Sequence, residues 1–95
     1  MFIINLTYTC DLALVDQFLD AHICFLNEYY ATGVFQASGK KVPRTDGVIF
    51  ATIESKKALQ DIIAKDPFYK NNLARYEVIE FLPSKTSTSY DFLLD

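Results

Sequence analysis

The chain has a single histidine, His22, whose position indicates acid–base chemistry. On a helical wheel His22 lies seven residues from both Val15 and Tyr29, in the middle of an apolar stripe. An imidazole in such a place needs a hydrogen-bond partner. It is either a core histidine bonded to a backbone carbonyl or a tyrosine hydroxyl, or a general acid/base that faces a pocket between helix and sheet.

Asp66 is the candidate partner of this histidine. It precedes Pro67 and Phe68 at the end of a predicted helix, among apolar neighbours. A carboxylate bonded to one ring nitrogen would fix the imidazole tautomer and leave the other nitrogen free for a substrate proton. The alternative is that Asp66 only ends the helix and is solvated.

A cluster of basic residues, Lys40, Lys41 and Arg44, is the other feature that could meet a substrate. No Lys or Arg precedes these three in the sequence, and they fall in a predicted loop. The cluster either attracts an anion or forms a solvated loop.

Composition limits the classes of function. Nine Lys and Arg against twelve Asp and Glu give a formal net charge of −3, which is the wrong sign for a nucleic-acid-binding protein. Cys10 and Cys24 form no CxxC motif and, with one histidine, give no zinc ligand set. No apolar run approaches the roughly 20 residues that span a bilayer, and no basic signal region opens the chain. We therefore expect a cytoplasmic protein without a metal, nucleic-acid or membrane partner.

The elements that must position these residues follow from the apolar pattern. Alternation over residues 2–8 predicts a first strand, and Asp11 can cap a long amphipathic helix that ends by Gly33. Ser55 can cap a second helix that stops by Asp66, because proline disfavours helical geometry in the residue before it. Three further strands are predicted at residues 34–38, 47–53 and 74–82, with loops at residues 39–46 and 68–72.

The order βαββαβ predicts an α+β, ferredoxin-like domain with a four-stranded antiparallel sheet and two helices on one face. The third strand is apolar on both sides, since Val48 and Phe50 alternate with Ile49, Ala51 and Ile53. The second face of the sheet therefore needs a cover, and a dimer would supply it. We expect the domain to comprise residues 1–83. Residues 84–95 would form a C-terminal extension with a polar tether and an apolar end.

Five segments of the sequence together resemble the YciI-related (YCII) family, over residues 2–83. They are residues 19–26, 30–39, 46–51, 64–68 and 76–83. The resemblance implies a ferredoxin-like fold that pairs into a dimeric α/β barrel, as a homodimer or a higher oligomer, with a pocket built around a His and an Asp. His22 matches the family's histidine, Asp66 the aspartate of its Asp-Pro-Phe motif, and Ser38 a serine that lines the pocket.

Two features depart from the family pattern. Members commonly have a Gly-Pro pair after the second strand, whereas here Lys40 and Lys41 follow Gly39. Residues 84–95 also run past the usual end of the family's domain.

The resemblance implies a small enzyme without a cofactor, of the isomerase, lyase or dehydrochlorinase type, because such reactions need a base but no metal or nucleotide. His22 would move a proton on a small metabolite and Asp66 would orient the imidazole. Ser38 would hydrogen-bond the substrate, and Lys40 or Arg44 would attract its carboxylate. The alternatives are a non-enzymatic dimer that binds a small molecule, and an interaction module in which His22 is packed dry and Asp66 faces solvent.

Overall fold

The computed structural model describes residues 1–94, and the order of its elements confirms the predicted ferredoxin-like α+β fold. No helix within these residues is long and apolar enough to cross a membrane. The elements are β1 (Phe2–Tyr8), α1 (Leu12–Gln17), α2 (Leu19–Ala31), β2 (Phe35–Lys40), β3 (Asp46–Ala51), α3 (Lys56–Ile63), α4 (Pro67–Lys70), β4 (Ala74–Glu80) and a final 3-10 helix (Thr88–Leu93).

The four strands form one sheet in the order β2-β3-β1-β4, and each neighbouring pair is antiparallel. Because successive side chains point to opposite faces, Phe2, Ile4 and Leu6 of β1 share one face, and all three are buried. Ile4 lies between Ile49 of β3 and Val78 of β4 on that face. The central position of β1 therefore places its apolar side chains in the middle of the core.

The helices cover this face of the sheet and complete the core. Val15 comes from α1, Phe25 and Tyr29 come from α2, and Leu59 and Ile63 come from α3. Phe25 and Tyr29 are four residues apart, as are Leu59 and Ile63, which is the spacing that predicts amphipathic helices. His22, seven residues from Val15 and from Tyr29, is buried in the same stripe.

The prediction of one long first helix is wrong, because the helix is interrupted at Phe18. The backbone N–H of Phe18 donates to the carbonyl of Val15 at 3.1 Å, which is the tighter spacing of a 3-10 turn, and its angles are φ −104° and ψ 4°. The N–H of His22 then donates to the carbonyl of Phe18 at 3.0 Å, so α2 begins at this point. Asp11 stands at the N-cap of α1, but its side chain makes no capping hydrogen bond.

The predicted loop at residues 68–72 is also wrong in part, since Pro67 opens the short helix α4. Asp66 is the N-cap of α4, and its side chain accepts a hydrogen bond from the backbone N–H of Phe68 at 3.0 Å. Proline is tolerated at the first helical position, where its missing N–H has no partner to lose. Ser55 caps α3 as predicted, accepting from the N–H of Ala58 at 3.1 Å.

The strand boundaries near the basic cluster differ from the prediction. β2 runs on to Lys40, with a register irregularity between Phe35 and Ala37, and β3 ends at Ala51. Lys40 is therefore paired with Gly47 in the sheet instead of lying in the loop. The ladder fixes the direction in which its side chain leaves the backbone.

The residues after β4 fold into the 3-10 helix Thr88–Leu93. The N–H of Tyr90 donates to the carbonyl of Ser87, and that of Leu94 donates to the carbonyl of Asp91. Tyr90 and Phe92 remain largely exposed. The division of the chain at residue 83 stays a prediction.

Candidate functional site

His22 and Asp66, 44 residues apart in the sequence, meet in the core. Nδ1 of His22 lies 2.8 Å from Oδ1 of Asp66. His22 is 8% exposed and Asp66 is 0% exposed. The histidine is therefore bonded to a carboxylate, not to a backbone carbonyl or a tyrosine, and the carboxylate is buried instead of solvated.

The contacts of Asp66 settle which ring nitrogen of His22 carries the proton. Oδ1 of Asp66 also accepts the backbone N–H of Phe68, and Oδ2 accepts a short hydrogen bond from the hydroxyl of Tyr76. Both oxygens thus accept from donors other than His22, as those of an ionised carboxylate do, and an ionised carboxylate has no proton to give to Nδ1. Nδ1 of His22 is therefore the donor, and in the neutral ring Nε2 carries a lone pair.

Nε2 of His22 faces a cavity. It has no hydrogen-bond partner within residues 1–94. In that part of the chain, every side-chain nitrogen or oxygen that solvent cannot reach does have a partner. Nε2 is therefore accessible. The imidazole is held in this orientation by Phe68, whose ring is stacked on it with centroids 4.0 Å apart and planes 5° from parallel.

The cavity lies between α2 and the sheet and has a volume of about 310 Å³. His22, Ser38, Lys40 and Arg44 all line it, whereas Asp66 lies behind the imidazole and does not. The rest of its wall is largely apolar, with Leu6, Leu19, Ile23, Leu26, Val48 and Ile49. The arrangement suits a small molecule with an apolar ring or chain and a few polar groups.

Ser38 reaches the cavity because it lies opposite Ile49 on the helix-covered face of the sheet. Its Oγ lies 2.6 Å from the hydroxyl of Tyr30 on α2. A hydroxyl both donates and accepts, so Ser38 can keep this bond and still bind a ligand atom.

The three residues of the basic cluster have different surroundings. Lys41 pairs with Asp46 at 3.1 Å, and Arg44 pairs with Asp16 of α1 at 2.5 Å. Lys40 has no ion-pair partner within residues 1–94. Lys40 and Arg44 line the cavity and Lys41 does not, so two of the three cations meet it.

Two tyrosines of the site were missed by sequence reasoning. Tyr76 is on β4, opposite Leu6 and on the core face, where it reaches Asp66. Burial, followed by the charge of Asp66, raises the pKa of the Tyr76 hydroxyl well above its usual range. Tyr8 lines the cavity at the end of β1. The alternating strand pattern placed Tyr8 on the face of Leu6, but it gave no sign that either hydroxyl had a polar role.

No cluster of three or more His, Cys, Asp or Glu in the described part of the chain could hold a metal ion. Of the two cysteines, Cys24 is exposed and Cys10 is half-buried, with its Sγ 3.7 Å from the carbonyl of Leu73. Neither lines the cavity.

The YCII-related domain model matches residues 1–82 of the chain. The structure is similar to that of 5-chloro-2-hydroxyhydroquinone dehydrochlorinase (TftG) from Burkholderia phenoliruptrix in complex with 2,5-dihydroxybenzoquinone. The TM-score is 0.71 at 18% sequence identity, over 85% of this chain and 93% of that chain. This likeness shows that the two chains share a fold. A search of the curated proteins finds no match.

The hydrogen bond from Tyr76 to Asp66 predicts a stability effect that depends on pH. We expect Tyr76→Phe to lower the free energy of unfolding by about 1–3 kcal/mol at neutral pH, because a buried carboxylate oxygen loses its donor. The pKa of Tyr76 is raised in the folded state above its ordinary value of 10.0. The contribution of the hydroxyl is therefore complete below that pH and is lost as the pH rises beyond it.

Urea unfolding followed by circular dichroism should show a gap between wild type and Tyr76→Phe that narrows above about pH 10. Tyr69→Phe is the matched control, because Tyr69 packs against Tyr76 but is largely exposed. Equal stability of wild type and Tyr76→Phe at neutral pH would contradict the interpretation.

Proposed function

We propose, since the chain belongs to the YCII-related domain family, that it is a small enzyme in which His22 transfers a proton on a small-molecule substrate. The single observation that carries the proposal is the pair of environments around the imidazole. Nδ1 is bound to the buried Asp66, and Nε2 is open to a cavity large enough for one small ring. This is the arrangement that a histidine general base needs.

The proposed chemistry begins with a neutral imidazole. Nε2 takes a proton from a carbon or hydroxyl group of the substrate, and the electron pair of the broken bond stays on the substrate. The imidazolium that forms is stabilised by the carboxylate of Asp66, which is shielded from water. In an isomerisation His22 returns the proton to another substrate atom. In an elimination the electron pair expels a leaving group such as chloride, and the proton passes to solvent.

The shape of the cavity supports a small cyclic substrate. Leu19, Ile23 and Leu26 of α2 face Leu6 and Ile49 of the sheet across a space that suits a flat ring. A neighbour of the same fold is a dehydrochlorinase solved with a dihydroxybenzoquinone, which supports hydroxylated rings as the first compounds to examine. Ser38 would bind a substrate oxygen, and Lys40 or Arg44 an acidic group.

Hydrogen–deuterium exchange on carbon tests the proposal without knowledge of the natural substrate. Small hydroxylated quinones, including 2,5-dihydroxybenzoquinone, and enolisable cyclic ketones would be incubated with the protein in D₂O and followed by proton NMR. We expect wild type to accelerate exchange for at least one of these compounds. We expect His22→Gln to lose about 100-fold or more of that acceleration, since general acid–base catalysis contributes about that much.

Cys24→Ser is the matched control, because Cys24 is on α2, exposed and outside the cavity. It should leave the exchange rate unchanged, and circular dichroism should show each variant folded. Exchange that is independent of His22 would contradict the proposal that His22 is the catalytic base. Thermal stabilisation of the protein by these compounds with no exchange would favour the alternative, a non-enzymatic dimer that binds a small molecule.

We propose further that two chains pair through the face of the sheet opposite the helices. Ile3, Phe50 and Ile79 lie side by side on that face, since Ile3 is opposite Phe50 in β3 and opposite Ile79 in β4. Phe50 is 38% exposed and Ile79 is 56% exposed. Both would be covered in a dimeric α+β barrel, and burying such a patch favours association.

A charge placed in this patch should separate the subunits. We expect wild type to sediment at twice the 10.8 kDa chain mass, and Ile79→Lys to sediment as a single chain. Leu12→Lys, a change of the same kind at an exposed position of α1, should remain a dimer. A wild-type chain that is monomeric at micromolar concentration would contradict the pairing.

A further inference from the structure

The hydroxyl of Tyr8 has a fixed position in the cavity. Tyr8 is the last residue of β1 and shares the helix-covered face of the sheet with Leu6. Its ring meets Phe68 edge to face, with centroids 6.1 Å apart and planes at 89°. Phe68 is the ring that stacks on His22. One aromatic side chain therefore holds both Tyr8 and His22 at the same cavity.

The Arg44 guanidinium lies close enough to donate to the oxygen of this hydroxyl, but no group within residues 1–94 accepts its O–H. The hydroxyl is accessible, because every side-chain polar atom that solvent cannot reach in that part of the chain has a hydrogen-bond partner. Burial raises the pKa of Tyr8, against the opposing effect of the nearby Arg44 guanidinium. Tyr8 therefore keeps its proton at neutral pH and offers it to whatever occupies the cavity.

Asp46 and Asp16 act on Tyr8 from outside the cavity lining, but the charged side chains that line the cavity are positive. Lys40 and Arg44 line the cavity, and no Asp or Glu of the described residues does. Asp16 pairs with Arg44 from outside the lining, and Lys40 has no carboxylate partner in that part of the chain. A chain with a net charge of −3 thus presents cations and a free O–H donor to this cavity. Hydrogen bonds to an ionised acceptor are the stronger ones.

We propose that Tyr8 is a substrate-binding residue that donates its hydrogen bond to an ionised oxygen of the substrate, beside Arg44 and Lys40. The substrate class is then a small, flat molecule with a phenolate, enolate or carboxylate oxygen on an apolar frame. His22 faces another part of the same molecule. The inference rests on the proposed function only in taking this cavity as the substrate site.

Gly47 leaves the space that such an oxygen would use. A Cβ added at Gly47 would lie 3.9 Å from the hydroxyl oxygen of Tyr8 and 3.6 Å from the carbonyl oxygen of Gly39. These are ordinary contacts, so Gly47→Ala fits the fold. Its methyl group would nevertheless stand beside the donor and hinder a ligand oxygen there.

The test measures binding, not turnover, with two probes of nearly the same shape. At alkaline pH 4-nitrophenol is an ionised, coloured phenolate, and nitrobenzene lacks the acidic oxygen. Dissociation constants would be measured by absorbance or calorimetry for wild type, Tyr8→Phe, Gly47→Ala and the control Tyr90→Phe, whose side chain is outside this cavity. Circular dichroism and thermal melting would verify that each variant is folded.

We expect wild type to prefer the phenolate, and Tyr8→Phe to weaken phenolate binding about 10- to 100-fold with little effect on nitrobenzene. Gly47→Ala should weaken phenolate binding without lowering the melting temperature, and Tyr90→Phe should change neither. A wild type that binds no phenolate or shows no preference for it, or a Tyr8→Phe variant with unchanged phenolate binding, would overturn the proposal.

These outcomes are distinct from a failure of the proposed function. If phenolate binding depends on Tyr8 but no carbon-bound proton exchanges, the anion site stands and proton transfer by His22 is wrong. If exchange depends on His22 but Tyr8→Phe binds the phenolate as well as wild type, proton transfer by His22 stands and the anion site at Tyr8 is wrong.

Discussion

The carboxylate of Asp66 is the constraint on which the rest of the site depends. It is completely buried, and an unpaired charge in a protein core costs several kcal/mol. Three donors satisfy it, and they come from three elements: the imidazole of α2, the backbone N–H of Phe68 in α4 and the hydroxyl of Tyr76 in β4. The fold can keep this charge inside only if α2, α4 and β4 hold their relative positions.

The same constraint gives the two ring nitrogens of His22 different roles. Because Asp66 takes the proton-bearing nitrogen, the lone pair of His22 can point only at the cavity. Phe68 contributes twice, since its N–H binds the carboxylate and its ring stacks on the imidazole. Its ring also supports Tyr8, so the proton-transfer end and the proposed oxygen-binding end of the cavity are built on one side chain. A small domain can thus position two polar functions with few residues.

Much of this could be predicted from the sequence, because the relevant patterns are local. Alternation over residues 2–8 gives β1 with its bounds, and the spacing of His22 from Val15 and Tyr29 places it in the buried stripe. The stretch Asp66-Pro67-Phe68 indicates Asp66 as the candidate partner, and the resemblance to the YCII family matches it to the family's aspartate. The pairing with His22 is long-range, so the residues alone leave a solvated helix end as the alternative.

What could not be predicted depends on tertiary context. Phe18 is compatible with a helix interior, so nothing local shows that α1 and α2 are separate there. The Asp66-Pro67 pair is as consistent with the end of one helix as with the start of the next. Tyr76 has the same period as its apolar neighbours on β4. The sequence indicates Lys40 and Arg44, which do line the cavity, but it does not show how they are placed there, by the continuation of β2 to Lys40 and by the ion pair between Arg44 and Asp16.

The tautomer of His22 is the most direct measurement of the central claim. Since the chain has one histidine, ¹⁵N-labelled protein gives one set of imidazole signals, recorded at a pH where the ring is neutral. The structure predicts a proton on Nδ1 that is protected by its bond to Asp66, with Nε2 showing the shift of an unprotonated nitrogen. A proton on Nε2, or rapid averaging of the two nitrogens, would contradict the account.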